Sequence, residues 1–144
     1  MSRTRPETRA RSRALQALYA WDVRSAAGTC EPLDVVATHI WDDLGIATEE
    51  RVIAGRFIRA YLAVGPSIDA SLRDITTNWR LERLGAIERS VLRLAAAELA
   101  EGVTPPRVVL QEAVKLAERY GSSQSASFVN GVLDAFARRS GKLQ

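Results

Sequence analysis

Five arginines stand among the first thirteen residues, Arg3, Arg5, Arg9, Arg11 and Arg13, against a single acid, Glu7. A guanidinium is always charged and presents its donors in a planar fork that suits phosphate oxygens. Tyr19 follows closely in the stretch RPETRARSRALQALYAW, which runs from Arg5 to Trp21. A ring beside several guanidinium groups has the means to stack an unpaired base while the cations neutralise phosphates. The chain of 144 residues carries a net charge of only +3, so its basicity is local rather than general. Local basicity points to an anionic partner. The same run also fits an arginine-rich transit peptide or a solvated helix face.

The element that must position these groups narrows the choice. A helical wheel at about 100° per residue sets Arg5, Arg9, Arg13 and Gln16 on one side and Ala14, Leu15, Leu18 and Trp21 on the other, with Tyr19 on the border. A cleaved leader would take part of the core with it, which argues against targeting. The solvated face stays open, because an isolated charge run is most often that.

Every informative segment has helical period, and none shows the bounded alternation of a strand, so the fold class is all-α. Helices are predicted over 6–25, 33–43, 48–64, 66–77, 81–101, 106–120 and 125–139. Gly28, Gly45, Gly65, Gly102 and Gly121 fall between them, where a left-handed C-terminal cap is wanted. Pro66 suits a first helical turn, and Thr104 is a candidate cap ahead of Pro105 and Pro106. From Leu84 to Leu99 the residues Leu84, Ile87, Val91, Leu94 and Ala95 share one face, while Arg89 and Arg93 point elsewhere. Glu98 lies on that apolar face, so it either snorkels at the helix end or accepts hydrogen bonds from a partner such as a neighbouring helix N-terminus.

Several function classes lack a foothold. No GxGxxG or GxxxxGK[ST] loop is present to cradle a nucleotide. One histidine, His39, and one cysteine, Cys30, give no metal site, histidine-based triad or internal disulfide. No catalytic residue and no cofactor are expected. The acidic pairs Asp42/Asp43 and Glu49/Glu50 read as solvated carboxylates and first-turn acids. No apolar run approaches the roughly 18 residues of a membrane span, and the cysteine usage fits a cytoplasmic protein.

Four segments carry a family resemblance: QALYAW from Gln16, LERLGAIERSVLRLAAAEL from Leu81, VVLQEAVKLAERYG from Val108 and SFVNGVLDAFAR from Ser127. In this order and spacing they resemble the transcription antitermination factor NusB family; residues 26–76 contribute little. The resemblance implies a NusB-like bundle of about seven helices in two packed helical subdomains, approximately 1–77 and 78–144. It further implies an RNA-binding factor that binds boxA of ribosomal RNA transcripts together with NusE, a small-subunit ribosomal protein. With NusA and NusG, such a factor supports processive antitermination by RNA polymerase, without catalysis.

Carried over by motif, Arg9, Arg11 and Arg13, with Arg5 nearby and Gln16 on the same helix, would form the RNA-binding set with phosphate contacts. Tyr19 of QALY would touch a base or sugar. Glu88 in GAIERSVLR would lie at the RNA and NusE surface, and Glu82 in LERLG near the partner. Phe128 in SFVNG would border the RNA site, although its spacing with Val132 and Phe136 equally suits a core stripe. Asn130 would serve binding or capping. The chain departs from the family twice: Glu7 and Thr8 interrupt the basic cluster, and GSSQSA, with Gln124, replaces an acidic pair before FVNG. Two other readings remain: the NusB-like RNA-binding domain of a ribosomal RNA cytosine methyltransferase, and a helical adaptor that binds protein alone. A monomer and a homodimer are both compatible with the sequence.

Overall fold

Proline has no amide hydrogen and a fixed φ, which cost nothing in a first helical turn, and the chain opens two helices this way, at Pro6 and Pro106. The computed structural model describes residues 5–77 and 84–144. Six helices are found among them: α1 (Pro6–Ala26), α2 (Leu33–Leu44), α3 (Thr48–Ile75), α4 (Ala86–Glu101), α5 (Pro106–Tyr120) and α6 (Ser123–Arg139). The all-α expectation holds. Six helices replace the expected seven because the predicted segments 48–64 and 66–77 form one helix, with Pro66 inside it. One missing amide bond does not end a helix whose buried residues, Phe57, Ile58, Tyr61, Ile68 and Leu72, lie on both sides of the proline.

The chain divides into two compact units, Met1–Arg59 and Ala60–Gln144. That division falls inside α3. In the first unit α1 packs on α2. The spacing of Ala10, Ala14, Ala17 and Leu18 brings four buried side chains onto one stripe of α1, and Val36, Ala37 and Trp41 are buried on α2. The Trp41 indole Nε1 donates to the Arg13 carbonyl at 3.1 Å, tying the two helices by a polar bond as well. Gly45 closes α2 at φ 64, a left-handed value that favours glycine.

Arg51 finishes the turn between α2 and α3. Its Nε donates to the Ile46 carbonyl at 2.8 Å and its Nη2 to the Trp41 carbonyl at 3.0 Å, with Nη1 on the Asp42 carboxylate. The final carbonyls of a helix have no partners within it, so this side chain supplies one from outside. Arg51→Ala is therefore expected to cost about 1.5–3 kcal/mol, the range for hydrogen bonds to a charged group. A urea midpoint lowered at unchanged slope would register the loss.

In the second unit α4 packs against α5 and α6, which also pack on each other. Being central, α4 is buried all round from Ser90 to Leu99 rather than along one face. Arg93, which the wheel sets off the apolar stripe, is therefore buried as well. It makes a paired contact with Asp69 of α3, Nε to Oδ1 at 3.2 Å and Nη2 to Oδ2 at 3.1 Å. Tyr61 donates its hydroxyl to the same carboxylate, 3.2 Å from each oxygen. To reach Asp69 the ring lies along α3 over Gly65, where a Cβ would come within 3.3 Å of it. Gly65 is thus a passage for Tyr61 inside a helix, and not the C-terminal cap expected. Gly121 is no left-handed cap either, at φ −120; a Cβ there would sit 2.8 Å from the Ala117 carbonyl oxygen, so close approach requires the glycine. Thr104 lies outside α5, whose N-cap position is Pro105. Glu98, 2% exposed, is buried as anticipated and is not without a partner.

Candidate nucleic-acid interface

The first turn of α1 explains the interruption in its arginine run. Glu7 is exposed in that turn, where a carboxylate complements the positive end of the helix dipole. Arg5 sits at the N-cap position, exposed. One and two turns on, Arg9 and Arg13 have side chains 48% and 31% exposed. Each donates its Nε to a different oxygen of Glu50, Arg9 to Oε1 at 3.0 Å and Arg13 to Oε2 at 3.1 Å. Arg13 also donates Nη1 to Gln16 Oε1 at 3.3 Å. Tyr19 is 41% exposed at the edge of this face, as the wheel placed it.

Arg11 departs from the expectation. It is 4% exposed, with its guanidinium 5.1 Å from the centroid of the Phe57 ring. Arg56 lies over the same ring at 4.8 Å. Cations are attracted to an aromatic face, and two residues beyond Arg9 the helix has turned this side chain inward. Arg11 therefore belongs with the packing between α1 and α3, and the exposed basic face consists of Arg5, Arg9 and Arg13. Glu50 is a neighbour of this face that its local sequence does not reveal. Rather than a solvated first-turn acid, it is a carboxylate 13% exposed and shared by two arginines.

In the second unit Glu88 is half-buried in the first turn of α4. Its Oε1 accepts from the Ser125 hydroxyl at 2.6 Å, while Ser122 Oγ accepts from the Ser125 amide at 3.1 Å and caps α6. The structure thus brings Glu88 together with the serine turn that replaces the expected acidic pair. Gln124, in that turn, is exposed. Phe128 is half-buried, whereas Val132 and Phe136 are buried at 8% and 6% exposure. The stripe they form enters the core at its far end and leaves Phe128 partly open. Asn130 lies in the interior of α6 and does not cap it; it is exposed in a groove of about 500 Å³ lined also by Arg107, Lys115 and Arg138. Glu82 lies outside the described residues.

No group of three or more His, Cys, Asp and Glu side chains that could hold a metal ion occurs among the described residues. His39 is largely exposed, 3.8 Å from Glu31. Among those residues no helix is long and apolar enough to cross a membrane.

The model of the NusB family matches residues 8–138. The chain belongs to the NusB family. A transcription antitermination protein NusB from Anaeromyxobacter sp. (strain Fw109-5) is 41% identical over 131 residues, covering 90% of this chain and 88% of the relative. The NusB of Sorangium cellulosum (strain So ce56) is 42% identical over 134 residues, covering 92% of each. Among solved structures, NusB from T. maritima superposes with a TM-score of 0.79 at 32% identity, over 94% of this chain and 93% of that one. NusB in a crystal structure with NusE and double-stranded RNA gives a TM-score of 0.83 at 27% identity, over 95% of this chain and 99% of that one. These NusB relatives are named for antitermination and for no reaction, in agreement with the reading of the chain as a non-enzyme. The family match also spans residues 26–76, where the sequence carries little resemblance.

Proposed function

We propose that the chain is an RNA-binding transcription antitermination factor that binds boxA of ribosomal RNA transcripts together with NusE. The observation that carries this reading is the exposed face of α1, where Arg5, Arg9 and Arg13 stand beside a Tyr19 ring that is 41% exposed. Cations along one helix face neutralise successive phosphates, and an aromatic at the edge of that face stacks a base. The NusB–NusE–RNA complex among the structural neighbours supports the pairing of RNA with NusE. In the cytoplasm the bound factor joins RNA polymerase with NusA and NusG, and transcription continues past terminators. Glu88, Glu82 and Phe128 serve the partner and the edge of the RNA site; Gln16 acts through Arg13, which it holds.

A gel shift with boxA RNA, with and without NusE, against a scrambled RNA of equal length tests the proposal. Selective retention of boxA RNA, strengthened by NusE, is expected; no shift in either condition favours the protein-only adaptor. Sedimentation of the free chain at several concentrations distinguishes a monomer from a homodimer. Tyr19→Ala is expected to weaken boxA binding by about 1–3 kcal/mol through lost stacking. Full affinity in that variant, with unchanged helical circular dichroism, would make Tyr19 a packing residue.

A further inference from the structure

The geometry points to Glu50 as a positioning residue for RNA recognition, an inference that rests on the RNA-binding reading of α1. Arg9 and Arg13 are one helical turn apart, where like charges repel, and long arginine side chains lose much rotamer freedom on gripping a ligand. Glu50 answers both conditions. Its two oxygens each take one Nε, at 3.0 and 3.1 Å, and its side chain is only 13% exposed while those of the arginines are 48% and 31% exposed. The carboxylate therefore sits beneath the two guanidinium groups and ties them to the start of α3. Gln16 accepts from Nη1 of Arg13 and fixes that group along a second edge.

Such an arrangement exchanges attraction for geometry. One negative charge beneath two positive ones reduces the pull on any polyanion. Held guanidinium groups, however, offer phosphates a fixed spacing. Phosphate contacts set the register of a nucleic acid on a protein without reading its sequence. Fixed arginines would thus deliver the same base to Tyr19 each time, so that the carboxylate promotes discrimination between RNAs at the expense of general affinity.

Two substitutions separate charge from geometry. Glu50→Asp keeps the charge but withdraws it by one methylene, too far to serve both arginines. Binding of boxA and scrambled RNA oligonucleotides is read by fluorescence anisotropy at fixed salt in the presence of NusE. The expected result is a ratio of boxA to scrambled affinity lowered about five-fold or more, through loss of register, with affinity for scrambled RNA nearly unchanged. Glu50→Gln, matched in shape, is expected to raise affinity for scrambled RNA and lower the same ratio, and it carries the test if the aspartate disturbs helix packing. Circular dichroism at the assay temperature confirms that each variant is folded.

A wild-type ratio in both folded variants would overturn the inference and leave Glu50 as a tie between helices. The double variant Arg9→Ala/Arg13→Ala distinguishes the two levels of failure. If it loses RNA binding while the Glu50 variants keep the ratio, the positioning role alone fails. If it binds like wild type, the arginine site fails and the positioning role with it.

Discussion

Arg93→Ala is expected to destabilise the second unit by about 3–5 kcal/mol, the largest effect of any single truncation considered for stability. The side chains of Arg93 and Asp69 are 10% and 14% exposed. Removing one partner leaves the other charge in a poorly solvated place, so the loss exceeds what the ion pair itself contributes. Asp69 also accepts from Tyr61, and that hydroxyl would then face a carboxylate that has lost its Arg93 partner. A lowered urea midpoint in Arg93→Ala would show this directly. The double variant Arg93→Met/Asp69→Leu should recover most of the stability, since apolar residues of similar volume often replace a buried pair without loss. A single variant costing less than about 1 kcal/mol would mean that the pair behaves as a solvated one.

Arg9→Ala/Arg13→Ala is expected to give the largest functional effect, a loss of boxA binding of roughly 10-fold or more, given that charge-assisted contacts contribute about 1.5–3 kcal/mol each. The two arginines share Glu50, which the double variant leaves as an uncompensated negative charge beside the RNA, so the two single effects are not additive. The Arg11→Ala variant forms the contrast. Its guanidinium is buried over Phe57, so truncation is expected to reduce thermal stability with little change in the salt dependence of binding. Anisotropy titrations of both variants, each paired with a melting curve, separate the binding role from the packing role.

This division of the arginines shows what the sequence could and could not convey. The wheel grouped Arg5, Arg9 and Arg13 and left Arg11 out; motif resemblance put Arg11 back. Periodicity was the better guide because it encodes which way a side chain leaves the helix, whereas a motif encodes only that a residue is there. The helix α5 was legible to the residue, since Pro106 opens it and Gly121 follows Tyr120 at its end. Helix α6 begins at Ser123, ahead of the predicted 125, because Ser122 caps it. That cap was hidden in a serine-rich turn with several equivalent candidates. Glu50 and Asp69 were illegible for a different reason. Their partners stand 37 to 41 and 24 residues away in the chain, and no local pattern reports a pairing formed only when helices pack. The same holds for Glu88 and Ser125, separated by 37 residues.

The central claim is that α1 holds RNA by phosphate contacts from Arg5, Arg9 and Arg13, and the salt dependence of boxA binding tests it most directly. Single-stranded RNA releases counterions with a slope of about −0.7 per phosphate neutralised, so three contacts predict log K falling against log salt with slope near −2. The same titration on Arg9→Ala/Arg13→Ala should give a slope shallower by about 1.4, for two contacts removed. A flat response in the wild-type chain, or equal slopes in the two proteins, would contradict the account.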